Sequence, residues 1–304
     1  MNQIVENTAR KLLRQLYNQG FQLRGINSPT SEIFVAEFLD DSPPVIMKIP
    51  RAVNEEALRE QRILDSLEGT GIPVPQVLYT QENFPAGNLV YTISRYIKGP
   101  DIREVIKWND DRTQAIFTQI GKLTGQLARL PLNLIPDGFS PQEVQENELQ
   151  WWENQLEFVS RHRGTTRLLD QIYHAARGIM LSLPQAFGHR DGVQAVTDGT
   201  KVYVIDVGSA GANWADADFA RMLYGNMVWH GGDQFRVWRE AAQAAYLEHR
   251  ELSDADVERI LILMSYYAMR DAATHASTGR STHVDRLYVL AEFILHESRR
   301  WFRR

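Results

Sequence analysis

Near residue 97 the hydrophobic period of the chain changes, and that change restricts the fold more than any other feature. Before it, apolar residues alternate as they do in strands. EIFVAEFLD (32–40) and PPVIMKIP (43–50) are separated by Asp40, Asp41, Ser42 and Pro43, which predicts a hairpin. In the second run Val45, Met47 and Ile49 fall on one face and Ile46 and Lys48 on the other, because side chains alternate along a strand. GIPVPQVLY reads as a proline-stiffened entry to an edge strand, and GNLVYTISRYIKG (87–99) as a buried strand ending in a Gly-Pro turn. Two helices are expected in this part. One covers residues 2–18, with Ile4, Leu12, Leu13 and Leu16 on one stripe. The other is NEEALREQRILDSLE (54–68), with Asn54 as N-cap and Glu55 and Glu56 in its first turn. After residue 97 the period is helical. FTQIGKLTGQLARL (117–130) sets Phe117, Ile120, Leu123, Leu127 and Leu130 on one face. Helices are also expected over 143–160, 165–183, 214–229, 233–249, 254–277 and 283–302. Period two returns only in VQAVTDGTKVYVIDVG, a hairpin turning at Asp198-Gly199. The expectation is an α+β chain with a small β-rich domain over 1–97 and a larger helical domain over 98–304.

The chain has 304 residues, 43% hydrophobic and 23% charged, enough for two lobes with their own cores. It has no cysteine, which excludes disulfides, thiolate zinc sites and a cysteine nucleophile and fits a cytoplasmic setting. The net charge is −5 and no basic face dominates, so nucleic acid is not an expected partner. The exception is the tail HESRRWFRR. It reads as a helix end whose cations suit the helix dipole, with an anionic partner as the alternative. The amphipathic N-terminus contains Glu6 and no apolar run near the length of a membrane span, so neither a signal peptide nor a membrane helix is expected.

Four elements then stand in one order. GINSPTS (25–31) is a flexible polar loop before a strand and offers Ser28 and Ser31. Lys48 lies on a strand and Glu60 in the following helix. Asp191 sits in GHRDG, and Asp206 ends the apolar strand of YVIDVG. Each alone has an ordinary reading: a solvated lysine, a helix-surface carboxylate, a turn-forming aspartate. Together they match the needs of phosphoryl transfer. A lysine neutralises phosphates and a glutamate holds it; one aspartate deprotonates the acceptor hydroxyl and a second holds magnesium.

With these residues the chain resembles, over nearly its whole length, the aminoglycoside phosphotransferase and choline kinase-like group, relatives of protein kinases. VIMKIP looks like the group's lysine strand. EEALREQRILDSLEGTGIPVPQVLY looks like its glutamate helix and the proline-rich strand entry after it, LVYTISRYIKG like its hinge strand, and IGKLTGQLARLP like the helix that usually ends in Leu-His, here with Pro131. GHRDG stands for the catalytic loop, YVIDVGSAG for the metal-binding segment and WADADFARML for the helix start that follows. The resemblance implies a two-lobed protein kinase-like fold, a nucleotide (ATP or GTP), Mg²⁺ and a small-molecule acceptor. It also implies that backbone groups of Ser94 and Tyr96 meet adenine, that Asp191 is the catalytic base with His189 bracing its loop, and that Asp206 holds the metal.

Three departures stand out. The kinase form is H-R-D-x-x-x-x-N, but Val196 occupies the asparagine position; a gap sets Val193 or Gln194 there instead, and Gln194 carries a usable oxygen. The group's LHPGN run is absent, and Val207 replaces the aromatic after the metal aspartate. Two function classes follow: an ATP-dependent kinase of a small-molecule hydroxyl, or a weak or inactive kinase-like protein that binds a nucleotide or metabolite. Residues 98–295 carry 20 basic and 26 acidic residues, a balance that favours cationic acceptors such as aminoglycosides or amino alcohols, although a generally acidic surface gives the same count. The paired tryptophans of WWENQLEF suit either a sugar or quaternary ammonium, or the core.

Overall fold

The computed structural model describes residues 3–28, 31–51, 54–85, 89–105, 107, 110–134, 139–163, 167–192, 194–229, 233–277 and 281–297. Pro29, Thr30, Val193, the side chains of Asn54, Glu55, Glu56 and Trp152, and the arginines of the basic tail lie outside the described residues. Contacts divide the chain into two compact units, residues 1–107 with 194–209, and residues 108–193 with 210–304.

The first unit is built on one antiparallel sheet. Its strands are β1 (Phe21–Ile26), β2 (Ser31–Phe38), β3 (Val45–Pro50), β4 (Val77–Phe84) and β5 (Leu89–Arg95), in the spatial order β1-β2-β3-β5-β4. β3 is central, and its alternation decides what each face does. Val45, Met47 and Ile49 are buried in a core with Phe34, Ala36, Phe84, Tyr91 and Ile93, while Ile46 and Lys48 point to the other face. Helix α1 (Gln3–Tyr17) covers that core with Ala9 and Leu13. The expected stripe is therefore off-centre: Leu13 is buried, but Ile4 and Leu16 are exposed. Helix α2 (Asn54–Glu68) packs on the sheet and on a 3₁₀ turn at Val207–Ser209, in which Val207 is buried. A short helix α3 (Ile102–Val105) and the hairpin β7 (Ala195–Thr197) with β8 (Val202–Val204) complete the unit. The hairpin is tied in by backbone bonds from Thr197 N–H to Pro100 and from Val204 N–H to Pro73.

Two sets of strands differ from the sequence expectation. β1 occupies 21–26, so Gly25 and Ile26, expected to begin a loop, end a strand instead. Phe21 and Leu23 alternate with Gln22 and Arg24, a short period-two signal that the sequence reading passed over, and they pair with Phe38 and Ala36. The pair β6 (Ala186–Gly188) and β9 (Gly211–Asn213) is three residues long on each side, too short for a period to register.

The second unit is helical: α4 (Asp111–Ala128), α5 (Pro141–Arg163), α6 (Arg167–Met180), α7 (Ala217–Trp229), α8 (Asp233–Leu247), α9 (Asp254–Ser277) and α10 (Ser281–Glu297). α9 runs through its core and packs on α5, α6, α7 and α10. α4 lies against α8, where Phe117 stacks on Trp238 at 5.3 Å. Asp110 caps α4 by accepting from the N–H groups of Arg112 and Thr113. Among the described residues no helix is long and apolar enough to cross a membrane.

Candidate active site

The off-core face of β3 forms the wall of a cavity of about 420 Å³ lying wholly within the first unit. Its apolar lining includes Ile26, Ile33, Ile46, Val77, Val196 and Ile205, a surface suited to a flat aromatic group. Its polar groups converge on one place. Lys48 Nζ donates to Glu60 Oε2 at 2.5 Å, across from strand to helix, and lies 3.7 Å from Asp206 Oδ1. Glu60 is mostly buried, whereas the Asp206 side chain is 54% exposed, so Glu60 fixes the ammonium and Asp206 keeps oxygens open for a further partner. Asp206 has φ 57, a left-handed backbone that a non-glycine residue adopts at a cost. Gln194 accepts from Ile205 N–H at 3.0 Å, which sets it opposite the residue before Asp206, and it lines the same cavity.

The catalytic-loop segment belongs to the second unit. The pairing of β6 with β9 sets Gly188 opposite Gly211. A Cβ at Gly188 would come within 2.6 Å of Asp218 Oδ2, so only glycine lets that carboxylate reach the loop backbone. Asp218, in the first turn of α7, accepts from His189 N–H at 2.5 Å, Arg190 N–H at 3.0 Å and Asn213 Nδ2 at 3.1 Å. Burial raises its pKa; the nearby His189 and the two backbone donors oppose that shift. His189 is 1% exposed. Arg190 (φ 71) and Gly192 (φ 68) are both left-handed, so the exposed Asp191 stands on a short bend held by Asp218. Arg221 donates to the Arg190 carbonyl at 2.9 Å and lies 3.8 Å from Asp191 Oδ1.

Of the candidate residues, Ser28, Lys48, Glu60, Ser94, Tyr96, Gln194 and Asp206 meet in the one cavity. Ser31 does not: it is the buried first residue of β2, paired with Pro50. Tyr96 enters with its N–H already donated to the Pro44 carbonyl at 3.0 Å, so it has no free backbone donor to offer a purine. His189 and Asp191 stand in the second unit as described. Val196 is a cavity wall, bridged through its backbone to Asp101, and its side chain carries no oxygen for a cation. The sequence reading missed Asp218 and Arg221. Their signal was available in WADADFARML, whose two aspartates flank the start of α7, but a carboxylate there is ordinarily an exposed helix-start charge.

Comparison with known proteins agrees with this architecture. Residues 33–258 match the model of the phosphotransferase enzyme family, and the chain belongs to that family. No curated protein sequence matches it. Among solved structures it is similar to the GDP complex of wild-type aminoglycoside 2'-phosphotransferase-IIIa, with TM-score 0.66 and 13% identity over 95% of this chain and 98% of that one. It is similar to the streptomycin–ATP–APH(2")-IIa ternary complex, with TM-score 0.59 and 17% identity over 90% of each chain. The microcompartment-associated aminopropanol kinase gives TM-score 0.60 and 17% identity over 98% of this chain and 99% of that one. The fold is thus α+β and kinase-like.

Proposed function

We propose that the protein is a phosphotransferase that takes a nucleoside triphosphate into the first unit's cavity and passes its terminal phosphoryl group to a hydroxyl of a small molecule. The observation that carries this reading is Lys48, pinned by Glu60 and facing the open carboxylate of Asp206 at the mouth of an apolar slot. These residues suit a nucleotide and a magnesium ion. The apolar walls take the base, Lys48 the phosphates, and Asp206, with the Gln194 side-chain oxygen as a second candidate, the cation. Magnesium bound there neutralises charge on the phosphate oxygens. In the transfer, the Asp191 carboxylate takes the acceptor's hydroxyl proton. The acceptor oxygen bonds to the terminal phosphorus, and the bond to the bridging oxygen breaks with its electron pair leaving on the nucleoside diphosphate. His189 and Asp218 hold the Asp191 loop rather than the proton. The similar solved structures were determined with GDP or with ATP and streptomycin, or are named for aminopropanol, which supports a nucleotide and a small acceptor.

Val196 favours a second reading, nucleotide binding without turnover, because a family ligand position has become a hydrocarbon wall. The two are separated by measuring ATP consumption against a panel of alcohols alongside nucleotide affinity with and without Mg²⁺. A kinase shows turnover that falls at least about 10²-fold in Asp191→Asn with nucleotide affinity kept, and a magnesium dependence of affinity that disappears in Asp206→Ala. Undiminished turnover in Asp191→Asn would remove the base assignment. Tight binding with no turnover in any form would establish the second reading.

A further inference from the structure

Three buried tyrosines of the second unit spend their hydroxyls on carboxylates. Tyr224 donates to Asp271 at 2.7 Å, Tyr246 to Asp216 at 2.5 Å and Tyr266 to Glu148 at 2.7 Å. Tyr267 breaks the pattern. It is 8% exposed, and among the described residues its hydroxyl has no hydrogen-bond partner, although the oxygen is not sealed from solvent. Burial raises its pKa, so the hydroxyl stays protonated and able to donate. A buried O–H ordinarily finds an acceptor, because a donor left unmade costs free energy. The place of this one is beside Asp191. Arg221 lies over the Tyr267 ring at 5.4 Å, donates to the Arg190 carbonyl at 2.9 Å and stands 3.8 Å from Asp191 Oδ1. Its stem follows the same bend, since a Cβ at Gly192 would come within 3.2 Å of Arg221 Cγ. One guanidinium thus separates the Tyr267 ring from the Asp191 carboxylate. The charges around it cancel: Arg190, Arg221 and Arg270 are matched by Glu148, Asp191 and Asp218. Arg270 pairs with Glu148 at 3.1 Å, Arg221 faces Asp191, and Asp218 accepts from the Arg190 N–H. One face of each neighbouring ring is also taken, Trp151 by Arg270 at 4.8 Å and Phe139 by Arg190 at 4.7 Å. This surface has no net charge to attract an ammonium or an oxyanion, and it has one hydroxyl ready to donate.

We propose that the acceptor is an uncharged polyol, and that the Tyr267 hydroxyl donates to one of its oxygens while another of its hydroxyls faces Asp191. The proposal rests on the phosphotransfer reading above and names its acceptor class and a residue that selects it. A polyol suits the two contacts because each of its hydroxyls can accept as well as donate. One accepts from Tyr267 while another gives its proton to Asp191. The overall acidity of residues 98–295 does not bear on this, because the field at a site is set by the charges nearest to it.

The test compares five hydroxyl-bearing probes of different charge: D-glucose, myo-inositol, D-gluconate, D-glucosamine and kanamycin. Binding is measured by calorimetry, and ATP consumption separately, in wild type, Tyr267→Phe and Tyr246→Phe, with thermal melts on each. The expected result is binding and turnover of glucose or inositol. Tyr267→Phe keeps the ring under Arg221 and removes only the hydroxyl. It should weaken binding of that probe and raise its KM on the order of threefold to tenfold, with nucleotide affinity and melting temperature held, since the hydroxyl bonds nothing within the described protein. Tyr246→Phe should do the reverse, lowering the melting temperature and leaving acceptor affinity unchanged. A KM for every accepted probe that is unchanged in Tyr267→Phe would overturn the contact and leave phosphotransfer in place. Preference for gluconate, glucosamine or kanamycin over both uncharged probes would overturn the acceptor class, as would the failure of both uncharged probes to bind. Tyr267-dependent binding of an uncharged probe without ATP consumption would support the contact and count against the transfer reading.

Discussion

At Asp218 three N–H donors converge on one buried carboxylate, two of them the backbone groups of His189 and of the left-handed Arg190. This buried neighbour and Arg221, which donates to the Arg190 carbonyl, together hold the bend that carries the exposed Asp191. Removing the acceptor leaves each buried N–H unsatisfied at about 1–3 kcal/mol. Asp218→Ala is therefore expected to lower the urea midpoint of unfolding and to lose turnover together, whereas Asp191→Asn loses turnover with the midpoint held. A variant of Asp218 with native stability and native activity would sink the bracing role. This difference also explains what could be read from the sequence. Lys48, Glu60, Asp191 and Asp206 were legible because each is tied to a motif with a chemical reason. Asp218 was not, because burial, the property that makes it important, leaves no mark on its local sequence. Tyr96 is the converse case: the motif was visible, but the use of its N–H by Pro44 depends on where another strand begins.

The hairpin β7–β8 carries Gln194 at its entry and leads to Asp206 at its exit, so its turn sets the spacing of two candidate cation ligands. Asp198 holds that turn. Its carboxylate accepts from the backbone N–H groups of Lys201 and Thr200, from the Thr200 hydroxyl and from the Tyr203 hydroxyl, while Gly199 takes φ 96. The Lys201 backbone bond leads the causes that lower its pKa to about 2. A carboxyl whose folded pKa lies below its unfolded value stabilises the fold above the unfolded pKa and loses that contribution as the pH falls through the folded one. Wild type should therefore exceed Asp198→Asn in stability at neutral pH by a margin that shrinks between about pH 4 and pH 2, read from urea midpoints across that range. The margin is small, because the turn is exposed to solvent. A margin independent of pH would show that the charge does not hold the turn. Among elements, this hairpin was legible from its Asp-Gly turn and flanking alternation, as were the long helices from their period. β1 was passed over although Phe21-Gln22-Leu23-Arg24 alternates, and β6 and β9 were not legible because three residues each are too few to show a period.

In the second unit a buried ion network ties α7, α8 and α9 into one body. Asp216, with its side chain fully buried, accepts from the Tyr246 hydroxyl at 2.5 Å, Arg250 at 3.0 Å and Arg259 at 2.6 Å, and Asp256 shares both arginines. Removing Asp216 leaves the buried Tyr246 hydroxyl without its acceptor and two part-exposed arginines to Asp256 alone, at a cost on the order of 1–3 kcal/mol. Asp216→Ala is therefore expected to lower the melting temperature by several degrees, far more than Arg112→Ala at the exposed start of α4, with thermal melts as the check. Equal melting temperatures for the two would show that the network contributes nothing to stability. The first unit has a different liability, which follows from residues 194–209 belonging to it although residues 108–193 of the second unit precede them in the chain. During synthesis all five strands of the main sheet leave the ribosome before Val196, Ile205 and Asp206 exist. The nascent sheet at that stage has Lys48 and Glu60 but lacks the cavity wall that Gln194, Val196, Ile205 and Asp206 supply. Ligand-assisted folding, which acts by mass action on a binding site, is therefore expected to reach its full effect in this protein only after residues 194–209 have been made.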